Sequence, residues 1–377
     1  MKLRVVVLGA GFGGLELTTI LSEKMGDRLD LTLIDQNDTF FFGYSKFDVM
    51  FGRKPADAVK ISYSSMVKPG VKFRKETITH IDPVLKVITT KNEKYEADVL
   101  VVALGADYDM NATPGLAEGA NQFYTFKGAE ELREILPGFT KGRAIIGVCS
   151  APFKCPPAPS ECALLMHDYL TRRGIREACE ISLVMPFGSP IPPSPDSSKA
   201  LIKAFAERNI NFIPNRKVSS IDSSKKVAIL DDGSTMPFDL FLGVPKHVAP
   251  EVVLKSGMTE KGWIPVDKKN LKTKYPGVYA IGDVTSVGTP KAGVFAEGAA
   301  KIAADSIMAE ANGDQSSSIY SGAGTCYIEF GGGKIGRVDV DFFSAPHPFG
   351  SHTDASKALV AEKEHFGTSR KARWFGL

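Results

Sequence analysis

No stretch of this 377-residue chain is apolar for long enough to cross a bilayer, which takes about 20 such residues in a helix. The first apolar segment starts almost at Met1, so no secretory leader is expected and the chain is placed in the cytoplasm or at a membrane surface. An excess of one charge is missing as well. The 46 basic and 43 acidic residues leave a net of +3, with no Lys/Arg block, so nucleic acid is not an expected partner. Five cysteines are too few for a disulfide scaffold in a chain of this length. None of them precedes Cys149. The length exceeds one ordinary core, and two or three domains are expected.

What is present begins at residue 5. Residues 5–8 are apolar and β-branched, run into Gly9, Gly11 and Gly14, and are followed by helical apolar spacing over residues 15–21. Strand, tight turn and helix are the expected elements. Gly9 serves the turn, Gly11 lets a pyrophosphate approach the main chain, and Gly14 lets helix and strand close. The phosphates would rest on the helix N-terminus. A second strand, residues 31–34, ends in Asp35, where a carboxylate is needed to hold an adenosine ribose. Residues 40–42, three phenylalanines, line a flat ring system or belong to the core. Residues 71–90 alternate like short antiparallel strands. Residues 97–105 read as a buried strand that breaks at Gly105, a position that FAD-binding proteins of this architecture often use beside the cofactor. Residues 275–283 form a strand ending in Gly282 and Asp283, whose carboxylate can reach a ribityl or phosphate hydroxyl. A helix of small residues follows from residue 290. Its start can stabilise negative charge on a reduced isoalloxazine, and Lys291 is either a cation for that ring or a solvated lysine.

A second α/β unit follows the same outline, with strands at 144–148, 180–185 and 211–213 and helices at 160–172 and 197–208. Its turn, residues 147–161, has no spaced glycines and carries prolines where a pyrophosphate needs N–H donors. It has the shape of a nicotinamide domain without the phosphate cradle. From residue 322 onward a hairpin about residues 331–333 and a short helix at 356–364 are expected. The basic and aromatic residues 368–377 suit a membrane interface or pack Trp374 on the domain. The fold class is α/β: two Rossmann-like domains, 1–108 with 258–318 for FAD and 109–257, plus a small α+β C-terminal domain, 319–377.

The glycine turn, Asp35 and the Gly282-Asp283 pair resemble flavoproteins with two dinucleotide-binding domains. Within that group, Lys154-Cys-Pro-Pro-Ala-Pro-Ser-Glu161 and Thr325-Cys-Tyr327 resemble the sulfide dehydrogenases, namely sulfide:quinone oxidoreductases and the flavoprotein subunit of flavocytochrome c. The resemblance spans essentially the whole chain. It implies two cysteines facing the flavin, here Cys155 and Cys326, that take up sulfide as a persulfide and pass two electrons to FAD. The chain departs from the pattern in two places. Many sulfide:quinone oxidoreductases have a third redox cysteine between the first domain and the Lys-Cys motif, and here none occurs before Cys149. The loop that tethers FAD through a cysteine in flavocytochrome c reads Phe40-Phe-Phe-Gly43-Tyr44, so FAD is expected to be held without a covalent bond.

The residues themselves point the same way. Cys155 lies just before a helix start with Lys154 beside it, both of which favour a thiolate. Cys162 and Cys179 read as buried small residues, and Cys149 is left open. Glu161 either assists proton transfer or answers the helix dipole. The expected substrate is sulfide and the expected acceptor a quinone. The alternatives are an NADH:quinone oxidoreductase, against which the missing glycines argue, and an electron-transfer flavoprotein serving a cytochrome c partner. A homo-oligomer is compatible with this reading, and no metal ligand set is assigned.

Overall fold

The computed structural model describes residues 2–377. Strand Leu3–Leu8 alternates its side chains between two cores: Val5 and Val7 face one cluster, Val6 and Leu8 another. This is what the period-2 geometry of a strand buried on both faces requires. It is the centre of a five-stranded parallel sheet in the order 278–280, 99–102, 3–8, 29–35, 71–75. Helices Phe12–Met25 and Gly293–Ala311 lie together on one face. Their close approach depends on small residues: a Cβ on Gly13 would stand 3.3 Å from the Ala296 carbonyl oxygen, and one on Gly293 would stand 2.7 Å from the Phe12 ring.

Residues 71–90, expected to be antiparallel throughout, divide. Val71–Lys75 is the parallel edge strand of the first sheet, paired Leu31 to Val71. Ile78–Asp82 and Val87–Thr90 form an antiparallel ribbon with Lys94–Glu96. Alternation reports a half-buried strand and is silent about the direction of its neighbour.

The second sheet repeats the plan, with order 121–122, 240–244, 142–148, 179–184, 210–213, all parallel. Ala144, Ile146 and Val148 enter one core and Ile145 another. A two-stranded ribbon, Asp107–Asp109 against Lys246–Val248, joins the two units.

Gly324–Gly331, Lys334–Asp341 and Phe349–Ser356 make a three-stranded antiparallel sheet. The third strand was not expected, and the final helix is Leu359–Phe375 rather than residues 356–364. Leu359, Gly367, Trp374 and Phe375 face inward along it, while Lys363, Arg370 and Arg373 meet acids. Arg373 Nε donates to Glu16 at 2.9 and 3.1 Å, and Arg370 Nε to Glu297 at 2.7 Å. Trp374 is fully buried and its indole N–H donates to Glu16 Oε2 at 2.7 Å. Of the two readings of residues 368–377, packing of Trp374 on the first unit is the one observed.

Candidate active site

The glycine turn has the shape of a dinucleotide cradle. Gly9 has φ +99°, and a Cβ there would lie 2.5 Å from the Ala103 carbonyl oxygen; one on Gly14 would lie 1.9 Å from the carbonyl oxygen of Gly9. Neither position admits a side chain. At Gly11 the added atom would meet nothing within 4 Å, so the one open glycine is the one that a pyrophosphate would approach. Asp35 Oδ2 accepts from Ala10 N at 2.9 Å and Oδ1 from Asn37 N at 2.8 Å, which fixes the carboxylate beside the turn. Phe40 and Phe42 are core, packed edge-on to Phe12 and against Trp374, whereas Phe41 stands against Phe126.

Gly105 and Gly282 have φ +70° and +75°. Open space lies beside Gly105, while the space beside Gly282 is closed by Ala296, 2.9 Å from an added Cβ. Burial raises the Asp283 carboxyl, opposed by the Lys154 and Lys291 ammonium groups. Lys291 is not a solvated lysine. It is 6% exposed, its ammonium donates to the carbonyls of Asp283 at 2.5 Å and Thr285 at 3.2 Å, and it stands 3.3 Å over the Trp263 ring. Burial brings its amine down to about 8.

Cys155 lies in the long turn before helix Ala158–Arg172 with φ +50°, a conformation that non-glycine residues hold at a cost of order 1–3 kcal/mol and that clusters at functional sites. Two main-chain bonds hold it. Cys155 N donates to the Lys291 carbonyl at 2.7 Å, and Ala158 N donates to the Cys155 carbonyl at 2.8 Å. The cysteine turn of the second unit is thereby joined to the residues that precede the last helix of the first unit. Cys155 is open to solvent, and Glu161, Cys326, Lys46 and Tyr124 are titratable groups close enough to act on its thiol or be acted on by it. Cys326, half-buried on strand Gly324–Gly331, packs against the core of the second unit. Both thiols are free.

The expectation that Lys154 and the helix start depress the Cys155 pKa is overturned. Lys154 turns away: its ammonium donates to the Ala106 carbonyl and to Tyr108 Oη. The helix start has few donors to offer, since Pro157 and Pro159 carry no N–H and Ala158 N is taken by Cys155 itself. Although the residue as a whole is exposed, desolvation around its sulfur instead pushes the Cys155 thiol above its ordinary range, with Glu161 and Cys326 adding to the rise and Lys46 opposing it. Cys326 is pushed up to about 12, by burial first and then by Glu161 and Asp339.

Glu161 is 4% exposed, and its Oε1 accepts from Glu329 N at 3.0 Å. Burial lifts its carboxyl to about 7 against the pull of Lys363. Glu329 is equally enclosed, yet Arg53 at 2.5 and 3.0 Å and Lys363 at 2.5 Å bring it down to about 2. Two neighbouring glutamates thus divide the roles: Glu329 is a fixed anion and Glu161 is a carboxyl that exchanges a proton near neutrality. Cys149 lies elsewhere, in the cluster of Ile145 and Phe241, with its thiol donating to the Gly147 carbonyl. Cys162 and Cys179 are buried, as expected.

Sequence reasoning missed Lys46, Tyr124, Arg53, Glu329 and Lys363. They come from separate segments, and no local spacing marks them.

Residues 3–300 match the pyridine nucleotide-disulphide oxidoreductase family. Among curated proteins, the chain is 24% identical over 356 residues to the mouse mitochondrial sulfide:quinone oxidoreductase, covering 91% of this chain and 79% of that protein. It is 27% identical over 374 residues to the sulfide-quinone reductase of Aquifex aeolicus, covering 92% and 84%. The solved structure of the sulfide:quinone oxidoreductase from Aquifex aeolicus superposes with a TM-score of 0.88 at 24% identity, covering 99% of this chain and 92% of that one. Among the described residues, no helix is long and apolar enough to cross a membrane.

Proposed function

The chain belongs to the pyridine nucleotide-disulphide oxidoreductase family, and from that premise we propose that it is an FAD-dependent sulfide dehydrogenase that passes electrons to a quinone. One observation carries this reading: the Cys155 turn is bonded to the main chain at Lys291, just before the helix that follows Asp283, and Cys326 and a Glu161 brought near neutrality are close enough to act on its thiol. The likeness to sulfide:quinone oxidoreductases over nearly the whole chain supports it.

Gly9, Gly11 and Gly14 would hold the pyrophosphate, Asp35 the ribose, and Gly105, Gly282 and Asp283 the flavin end, with Lys291 behind them as the nearby positive charge. When bound, FAD supplies the two-electron acceptor. The chain's own residues perform the sulfur chemistry. In the oxidised enzyme, hydrosulfide attacks a Cys155–Cys326 disulfide, breaking that S–S bond and forming a new one to the incoming sulfur. One cysteine becomes a persulfide and the other leaves as a thiolate that holds the electron pair. Glu161 takes the proton of the entering S–H, which a carboxyl near 7 does without a large penalty in either direction. A chain of sulfur atoms bridging the two cysteines is the other form this pair could take. A lipid-soluble quinone implies contact with a membrane surface.

NADH is disfavoured as donor because the second turn offers prolines and spent N–H groups where a pyrophosphate needs free ones. The test is an anaerobic spectrum of the purified protein after separate additions of sulfide and NADH. Bleaching of the flavin band by sulfide and not by micromolar NADH is expected, and the reverse would overturn the reading.

A further inference from the structure

We propose that Arg53 is a positioning residue for Glu161, acting through Glu329, whose main-chain N–H it fixes against the Glu161 carboxyl. This rests on the reading of Glu161 as the group that exchanges a proton at the sulfur site.

Among the described residues the Glu161 carboxyl accepts one hydrogen bond, from Glu329 N to Oε1 at 3.0 Å, and no donor meets Oε2. The exchanged proton therefore belongs on Oε2, while Oε1 remains an acceptor. Whatever fixes Glu329 N fixes the carboxyl. The strand ladder does not do this alone, because the pairing of Gly324–Gly331 with Lys334–Asp341 slips between Glu329 and Gly331. The Glu329 side chain is clamped instead. Arg53 Nη1 and Nη2 meet its two oxygens at 2.5 and 3.0 Å, and Lys363 Nζ meets Oε1 at 2.5 Å.

Arg53 is itself set in place before it reaches Glu329. Its Nε pairs with Asp48 Oδ1 at 2.9 Å, and its main-chain N–H donates to the Asp48 carbonyl at 2.7 Å. Asp48 lies on helix Ser45–Met50, so a rigid fork from the first unit grips the strand that carries Cys326 three residues before Glu329. Lys363 brings a point charge on a flexible stem. Only the planar, bidentate guanidinium dictates the plane of the carboxylate.

The charged and titratable groups facing Glu161 are Lys363, Glu329, Arg53, Tyr124 and the thiols of Cys155, Cys162 and Cys326. The anions Asp48 and Glu329 balance the cations Arg53 and Lys363. A neutral Glu161 leaves this cluster without net charge, and its ionisation adds one buried negative charge. Loss of the Arg53 charge and loss of the Glu329 charge should therefore move Glu161 in opposite directions.

The experiment is a pH titration of the FAD-loaded protein by infrared difference spectroscopy, with the Glu161 carboxylic acid band identified by its loss in Glu161→Gln. In Arg53→Met the midpoint should rise by about one pH unit or more, and in Glu329→Gln it should fall by about as much. Arg53→Lys keeps the charge without the fork. Its midpoint should stay within about half a unit of wild type, while the band moves to higher frequency because the N–H bond to Oε1 loosens. A general loss of structure would not produce opposite shifts. The proposal is overturned if the midpoints of Arg53→Met and Glu329→Gln stay put or move together, or if neither Arg53 variant moves the band. If Arg53→Met does not fold, the midpoint of Glu329→Gln and the band of Arg53→Lys decide. The readout needs no sulfide. Failure of sulfide to reduce the flavin would count against the proposed function and leave Arg53 in its role, whereas unmoved midpoints with sulfide reduction intact would do the opposite.

Discussion

The two α/β units follow one plan and differ at one turn. Each has a central strand flanked by parallel neighbours, and each sends a helix back across its sheet. In the first unit the link from strand to helix is residues 9–11, and it is closed so tightly that Gly14 touches the carbonyl of Gly9. In the second it is residues 149–157, long enough to bring Cys155 onto the main chain at Lys291. The short turn leaves N–H groups for phosphate; the long one uses prolines and its own carbonyls to consume them and presents a thiol instead. The chemistry is set by the turn and not by the scaffold.

The most severe way to break this contrast is to put a side chain into the tight turn. Gly14→Ala places a Cβ 1.9 Å from backbone oxygen. Overpacking in a core typically costs about 1–3 kcal/mol, and main chain on both sides cannot yield. Purified Gly14→Ala should carry about tenfold less flavin per protein than wild type, measured by absorbance after acid release. That release should succeed in wild type too, since no cysteine lies in residues 36–50; a flavin that stays with the pellet would contradict non-covalent binding.

In the long turn the expected loss is chemical and not structural. Cys155→Ser should retain FAD and lose sulfide-driven bleaching by about two orders of magnitude or more, and Cys326→Ser should do nearly the same because paired residues act as a unit. Stopped-flow reduction by sulfide measures both. A wild-type rate in either variant would remove the sulfur role from the second turn.

The tight turn was legible in the sequence because each glycine there answers a local demand. The buried strands were legible for the same reason, since continuous apolar runs leave few alternatives. The long turn was legible only as an absence. Its anchor, Tyr124, is joined to it through space, and the adjacent Lys154, to which the sequence pointed, bonds the Ala106 carbonyl. The final helix was underestimated because Gly367 and the four basic residues Lys363, Arg370, Lys371 and Arg373 hide its apolar face; the glycine is needed where an added Cβ would stand 2.5 Å from Tyr44 Oη. Strand Phe349–Ser356 escaped notice because its polar, largely accessible residues carry no burial pattern.

A smaller effect sharpens the role of the carboxyl beside the cysteine. With Glu161 near 7, the rate of sulfide reduction should rise with pH through about 7 as the carboxylate forms, and Glu161→Gln should lose that limb and slow by about a hundredfold. Stability moves in the opposite sense. A carboxyl raised above its ordinary value of 4.5 favours the fold below that value, and the contribution disappears as pH climbs through about 7. Glu161→Gln should therefore gain melting temperature relative to wild type at pH 8 compared with pH 4.5. An equal difference at both values would mean that the fold does not raise the Glu161 carboxyl.

The smallest expected change tests whether the likeness of the two units extends to a surface with no chemistry. Each unit has a three-stranded ribbon whose first hairpin turns at an aspartate and a left-handed lysine: Asp82 with Lys86 at φ +53°, and Asp222 with Lys226 at φ +52°. Asp82 Oδ1 accepts from Val84 N and Leu85 N at 3.0 and 2.9 Å, and Asp222 Oδ1 accepts from Lys225 N and the Ser224 hydroxyl at 3.0 and 2.7 Å. The backbone solution is the same and the side chains are opposite in character, because Val84 and Leu85 are 69% and 68% exposed where the second hairpin has Ser224 and Lys225. No buried contact is lost by exchanging them, and Val84→Ser can reproduce the hydroxyl bond to the aspartate. The double variant Val84→Ser/Leu85→Lys should therefore change unfolding free energy by no more than about 0.5 kcal/mol, read from denaturant titration, with FAD content and sulfide reduction unchanged. A loss well beyond that would mean that the first hairpin tip is packed against something in solution, and the two ribbons would no longer count as equivalent.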